Sequence, residues 1–65
     1  MLEEGKTYTC ERFTVAITIL EIIKSDSENI EVKGMVFNKK NKAAYGANTY
    51  SLSRAEIADW VTITL

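Results

Sequence analysis

The longest apolar run of the chain constrains its fold more than any other stretch, and it reads FTVAITILEIIK over residues 13–24. In its first half large apolar residues alternate with Thr and Ala, and a period of two places them on one face of a β-strand. These residues are Phe13, Val15, Ile17 and Ile19. After Ile19 the alternation shifts, because Leu20 and Ile22 fall on the opposite face. We therefore predict a long, bent central strand whose buried face changes, often through a bulge, at a corner of a small closed sheet.

A helix is the alternative for the same run, because the spacing from Ile19 to Ile22 and Ile23 also fits a helical face. Most of the run, however, consists of the β-branched residues Thr, Val and Ile. Their stiff χ1 angles suit a pleated sheet better than a helix interior. The composition of the run thus favours the strand.

The rest of the chain predicts four further strands. Alternating patterns indicate strands over residues 6–11, 30–38, 43–52 and 60–65. Two polar segments, residues 25–29 and 38–42, are expected to be turns, because Asp, Ser and Asn side chains bond to nearby backbone groups. Residues 1–5 are expected to form a short lead-in that ends at Gly5.

Each of these strands has an expected buried face. In the first strand Tyr8 and Cys10 are expected to point inward. In the strand over residues 30–38 the buried face is expected to change at Gly34, since glycine inside a strand often marks a bend. The inward residues of that strand would then be Ile30 and Val32 before the glycine and Met35 and Phe37 after it.

The last strand is expected to be preceded by one helical turn at residues 54–59. Ser53 and Glu56 have the spacing of a capping box, in which each side chain bonds to the other residue's backbone N–H. Leu52 and Ile57 have the spacing of the accompanying hydrophobic staple. In the following strand the alternation predicts one inward set and leaves Trp60 on the other face. That inward set is Val61, Ile63 and Leu65.

This order of elements resembles the small SH3-like barrel, in which five short strands close up and a single helical turn precedes the last strand. The resemblance covers residues 6–65 and rests on the element order and on the turn that follows Ser53. It implies an all-β, five-stranded barrel. The length of 65 residues by itself indicates a single domain over residues 1–65. A five-stranded OB-type barrel is the alternative, although its helix is expected earlier in the chain.

The composition argues against several kinds of chemistry. The chain has no His, which is the commonest general base and metal ligand. Its one cysteine, Cys10, lies on an alternating strand and is interpreted as a buried structural residue. Asp26 and Glu28 are too few for a calcium loop, and the three isolated glycines form no phosphate-binding loop. We therefore expect no enzyme, no cofactor and no metal site.

Charge and length bear on partners and on location. The net charge of −1 gives no reason to expect binding to an anionic membrane. The start, MLEEGK, lacks the apolar segment of a signal peptide, so a soluble cytoplasmic protein is expected. Because 65 residues support only a small core, association of the chain with its own copies is a further expectation.

The function expected from these features is noncatalytic protein binding. Aromatic residues are enriched at interface hot spots, and the candidate anchors are Trp60, Tyr45 and Tyr50. By architectural analogy we expect a small accessory or inhibitory protein of a bacterium or phage. The alternative is a nucleic-acid-binding barrel that uses the basic hairpin tip beside the two tyrosines. The candidate residues at that tip are Lys39, Lys40 and Lys42.

Overall fold

A computed structural model of the chain describes residues 2–64. Over that range the chain forms five strands and one short helix in the predicted order. They are β1 (Thr7–Thr9), β2 (Val15–Ser25), β3 (Asn29–Asn38), β4 (Ala44–Ser53), α1 (Arg54–Ile57) and β5 (Val61–Ile63). All strands belong to one open antiparallel sheet with the order β4-β3-β2-β1-β5. The all-β prediction is confirmed, and closure of this sheet into a barrel stays a prediction.

Two bulges bend the long central strand β2. Ile19 pairs with Gly34 and Glu21 with Lys33, so Leu20 is an extra residue without a partner in β3. A second shift between Ile22 and Lys24 leaves Ile23 as another extra residue. Ile19 is fully buried before the first bulge, and Ile22 packs against the core after it. The predicted bulge in β2 is therefore confirmed, but the predicted change of buried face is wrong, because the extra residue returns Ile22 to the face that carries Ile19.

The corresponding prediction for β3 is wrong. Its inward series continues without a break through Gly34 to Val36, which packs against the core cluster, whereas Met35 and Phe37 do not belong to that cluster. The glycine has another role. A Cβ atom at position 34 would lie 2.5 Å from Cδ1 and 2.7 Å from Cγ1 of Ile17. Glycine is thus required there because the Ile17 side chain of the neighbouring strand fills the space.

The hydrophobic core lies on one face of the sheet. Its largest fully buried side chains are Ile19, Ile30 and Val32, which come from the two central strands. The other buried members of this cluster are Leu2, Tyr8, Ile17 and Leu52. Tyr8 and Cys10 are both buried as predicted, but Cys10 follows β1 and is not part of this cluster, and Thr9 between them is buried too, so the predicted alternation does not hold there. The side-chain hydroxyl of Tyr8 accepts a hydrogen bond from the Glu3 N–H at 2.8 Å, which ties the start of the chain to the core.

The helical turn begins as predicted and is shorter than predicted. Ser53 is the N-cap, and its hydroxyl accepts a hydrogen bond from the Glu56 N–H at 3.1 Å. The reciprocal bond from Ser53 N–H to the Glu56 carboxylate is absent from the side-chain hydrogen bonds within residues 2–64, so only half of the capping box forms. Leu52 is buried and Ile57 packs against the same core cluster, which agrees with the expected hydrophobic staple.

The expected orientation of the last strand is wrong. Val61 is 57% exposed and Ile63 is only half-buried, whereas Trp60, expected on the opposite face, packs against the core. The predicted strand over residues 60–65 is observed as Val61–Ile63, and its last residue, Leu65, lies outside the described part. The alternation was misleading because the indole of Trp60 fills the space beside the core cluster at the end of α1.

Candidate functional site

The turn between β3 and β4 presents the predicted basic tip. The Asn38 side-chain oxygen accepts hydrogen bonds from the Lys40 N–H at 2.8 Å and the Asn41 N–H at 3.1 Å. Lys42 adopts a positive φ of 64° and donates its N–H to the Asn38 carbonyl at 2.9 Å. These bonds fix a tight turn on which Lys40 and Lys42 are exposed. Both ammonium groups are therefore available to a partner.

Lys39 differs from the other two lysines. Its ammonium group donates to the carbonyl oxygens of Phe13 at 2.8 Å and Cys10 at 3.2 Å, and its backbone N–H donates to the Thr14 carbonyl at 3.0 Å. The side chain thus joins the β3–β4 turn to the loop between β1 and β2. A lysine held by two carbonyl oxygens contributes little to an exposed charged surface.

The two candidate tyrosines lie in different environments. Tyr45 is 62% exposed, and its hydroxyl accepts a hydrogen bond from the Asn38 amide at 3.0 Å. Tyr50 lies opposite Val32 and packs against the core. Five residues of extended strand separate the two side chains by about 17 Å. The structure therefore places Tyr45 beside the basic tip and does not join Tyr50 to it.

Trp60 belongs to a cluster at the other end of the β1–β2 loop. Its ring meets the Phe13 ring edge-on, with 5.6 Å between centroids, and the Arg12 guanidinium lies 5.2 Å from the centroid of Phe13. Arg12 also forms an ion pair with Asp59, the residue before Trp60. The indole N–H is buried and has no hydrogen-bond partner within the part of the chain that is described. Trp60 is therefore a half-buried packing residue rather than a freely exposed anchor.

The ion pair in this cluster shifts the acid–base properties of both of its members. The hydrogen bond from Arg12 lowers the pKa of Asp59, and the bond to Asp59 raises the pKa of Arg12. Arg12 also donates to the Glu56 carbonyl at 3.4 Å. Since Arg12 and Asp59 are 47 positions apart in sequence, no local pattern could have predicted their contact.

The edge strand β4 is the feature that sequence reasoning did not single out. In the described sheet β4 pairs only with β3, so one side of a ten-residue strand is unpaired. Its sequence, AYGANTYSLS, contains no charged residue and no proline. A register shift makes Tyr45 an extra residue next to Gly46, whose φ is 112°. Beyond this bulge the edge continues from Ala47 to Ser53.

Exposed apolar side chains occur at the bulges of the sheet. Leu20 is 45% exposed and Ile23 is 48% exposed, and both are the extra residues of β2. Tyr45 is the corresponding residue of β4. An extra residue is not held in the alternation of the strand, so its side chain is free to stay in solvent.

Concavities of about 510 Å³ beside residues 5–7 and 62–64 and of about 440 Å³ beside Cys10 and Arg12 lie on the surface, and a smaller one lies next to the core. It is lined by Trp60, Tyr8, Leu2 and the residues of α1, and its volume is about 190 Å³. Typical pockets for small molecules measure roughly 300–1,000 Å³. Within residues 2–64 no three metal-ligating side chains come together, and no helix is long and apolar enough to cross a membrane.

Comparisons of the chain with protein-family models, with curated proteins and with solved structures find no match.

Proposed function

We propose that this chain is a noncatalytic protein-binding module built as a small SH3-like barrel that leaves the edge of β4 open. The barrel proposal is supported by the strand order, by the bulges that bend β2 and β4, and by the helical turn between β4 and β5. The position of α1 late in the chain also favours this architecture over an OB-type barrel, whose helix is expected earlier. The absence of His in the sequence supports a role without catalysis.

The observation that carries the proposal is the neutral open edge of β4. Natural proteins usually protect edge strands with charges, prolines or short length, because unpaired N–H and C=O groups attract other strands. β4 is ten residues long, and beyond its bulge at Tyr45 the edge from Ala47 to Ser53 has neither charge nor proline. Such an edge can accept an extended segment of a partner, whose main chain supplies the hydrogen bonds.

Tyr45 provides an anchor at one end of this edge. Among residues 2–64 it is the most exposed large apolar side chain, and its hydroxyl bonds to Asn38 at the start of the turn that carries Lys40 and Lys42. Tyrosine combines apolar area with a polar tip, which suits a residue at an interface. A partner segment on β4 would contact this ring and meet the two lysines at the rim.

The cellular role proposed here is that of an accessory or inhibitory protein of a bacterium or phage that acts in the cytoplasm. This part of the proposal rests on architectural analogy with other compact binding proteins. The partner would be another protein or a second copy of this chain.

Position-specific photocrosslinking tests the proposal. A photoreactive phenylalanine analogue would replace Thr49 on the open edge or, as a matched control, Thr62 on β5, since both threonines are exposed. We expect polypeptide adducts from position 49 and few from position 62. Equal adducts from both positions, or none from position 49, would refute binding at this edge.

Nucleic-acid binding is the second candidate, because Lys40, Lys42 and the exposed ring of Tyr45 lie together at one turn. Binding of a labelled single-stranded oligonucleotide, measured by fluorescence anisotropy, distinguishes the two candidates. A nucleic-acid binder should lose affinity steeply with added salt and in a Lys40→Gln/Lys42→Gln variant. Lys39 is left unchanged in this variant because it bonds to the β1–β2 loop.

A further inference from the structure

We infer that β4 pairs in antiparallel orientation with β4 of a second copy, which joins the two sheets into one. This inference rests on the proposed function, because it names the partner of the same edge. β4 is the long edge of the described sheet, whereas β5, at the other edge, has only three residues. A β4 strand from another copy can pair with this edge beyond the bulge at Tyr45.

The charges at the two ends of β4 support a second copy as the partner. The turn before β4 carries the exposed Lys40 and Lys42. The other end of β4 is flanked by carboxylates, because Ser53 pairs with Asn29 and the Arg54 N–H donates to the Glu28 carbonyl at 2.9 Å. The exposed acidic residues at this end are Asp26, Glu28 and Glu56.

This end stays negative overall, because Asp26, Glu28, Glu31 and Glu56 outnumber the two nearby cations, Lys24 and Arg54. Arg54 donates to the Asp26 carbonyl and to the Ser25 hydroxyl, each at 2.7 Å. Lys24 lies directly across from Glu31 in the β2–β3 pairing. The carboxylates of Glu28 and Glu56 remain available for an incoming cation, since no ion pair within the described chain involves them.

These charges determine the direction of the pairing. In an antiparallel arrangement the basic turn of each copy lies against the acidic end of the other, so the favourable contact occurs twice. A parallel arrangement would bring the two basic turns together and the two acidic ends together. Complementary ends select the correct partner and register more than they add affinity.

A charge-swap experiment tests this arrangement. We expect the wild-type chain to sediment as a dimer at micromolar to millimolar concentration. The variants Lys40→Glu/Lys42→Glu and Glu28→Lys/Glu56→Lys place like charges at both ends, so each should weaken self-association on the order of tenfold. Asp26 stays unchanged because its carboxylate accepts the N–H groups of Glu28 and Asn29 at 2.9 and 2.7 Å.

Mixing the two swapped variants is the decisive step. In the mixed dimer the acidic turn of the Lys40→Glu/Lys42→Glu copy meets the basic end of the Glu28→Lys/Glu56→Lys copy. The basic turn of the second copy meets the acidic end of the first, so both contacts are favourable again. Native mass spectrometry should therefore show a heterodimer in excess over either homodimer. Circular dichroism of each variant alone verifies that the swaps leave the fold intact.

An uncharged-to-charged change on the edge gives an independent readout. In Thr49→Glu the new carboxylate lies opposite Lys33 on β3, so it favours folding of the single copy. In the dimer the two new carboxylates, one from each copy, would lie close together near the centre of the paired edges and repel each other. This variant should be folded and monomeric, whereas Thr62→Glu on β5 should remain dimeric.

Three results would overturn the inference: a monomeric wild-type chain at millimolar concentration, swapped variants that fail to prefer each other, or a dimer lost with Thr62→Glu and kept with Thr49→Glu. The proposed function fails separately. A monomeric chain that still crosslinks to foreign polypeptides from position 49 would refute self-pairing and leave protein binding at β4 intact.

Discussion

Gly34→Ala should destabilise the protein because the Ile17 side chain occupies the space that the new methyl group needs. The added Cβ would lie 2.5 Å from Cδ1 and 2.7 Å from Cγ1 of Ile17, about 1 Å inside ordinary carbon–carbon contact. Rotation about χ2 can move Cδ1, but Cγ1 moves only with the stiff χ1 of a buried β-branched residue. Overpacking of this kind costs about 1–3 kcal/mol in the free energy of unfolding.

In a protein that lacks the obstructing Ile17 atoms, Gly34→Ala should raise the free energy of unfolding instead of lowering it. Ile17→Ala deletes both Cδ1 and Cγ1, so the methyl group added at position 34 then fits. Replacing glycine by alanine at a compatible position stabilises a protein by about 0.4–1 kcal/mol, since the unfolded chain loses freedom. The coupling energy in the double-mutant cycle is the sum of that cost and that gain and should therefore be about 1.4–4 kcal/mol.

The assay is urea unfolding of the four chains of the cycle, followed by the fluorescence of the one tryptophan, Trp60. Because Ile17→Ala alone costs about 2–5 kcal/mol, all four are measured with trimethylamine oxide, which strengthens burial. Ile30→Ala is the matched control. Ile30 is also a buried isoleucine, but none of its atoms is among the three nearest to a Cβ atom at position 34. In the Ile30→Ala background, Gly34→Ala should still lower the free energy of unfolding by about 1–3 kcal/mol. An equal cost in the Ile17→Ala and Ile30→Ala backgrounds would refute the close approach of Ile17.

Three further changes test other parts of the structure. Ser53→Ala should lower the free energy of unfolding by about 1 kcal/mol in urea titrations, since it removes the cap on the Glu56 N–H, and an unchanged midpoint would contradict the cap. Gly46→Ala should lower the melting temperature, because the backbone there has a φ of 112° that alanine rarely adopts. The hydrogen bond from Arg12 lowers the pKa of Asp59 in the folded protein below the ordinary value of 3.8. The ion pair therefore adds to the free energy of unfolding above pH 3.8, and this contribution is lost as the pH falls through the folded pKa. Unfolding of Asp59→Asn should thus differ from wild type at neutral pH and converge with it in acid, and a constant difference would argue against the ion pair.

The sequence pattern predicted most of the fold because strands and turns depend on local chemistry. The five strands and the Ser53 turn follow the predicted order, and the bulge in β2 lies where the alternation shifts. The interpretation of Gly34 failed for a different reason. A bend and a close approach both favour glycine, and only the position of Ile17 on the neighbouring strand distinguishes them.

The candidate site was harder to predict from sequence. Lys40, Lys42 and Tyr45 were identified because an exposed turn has a local signature, and they do lie together. The role of Lys39 depends on carbonyl oxygens of another loop, and the position of Trp60 depends on Phe13. The open edge of β4 could not be recognised before the strand order was known, because a single strand does not reveal which neighbours it has.

The pairing of β4 with β4 can be observed directly by nuclear magnetic resonance. A dimer is prepared from equal amounts of isotope-labelled and unlabelled chain, and isotope-filtered spectra then report only proton contacts between copies. Antiparallel pairing of β4 with β4 predicts Hα contacts between residues before Asn48 in one copy and residues after Thr49 in the other. Contacts confined to β5 or to Leu20 and Ile23, or no contact between copies at millimolar concentration, would contradict it.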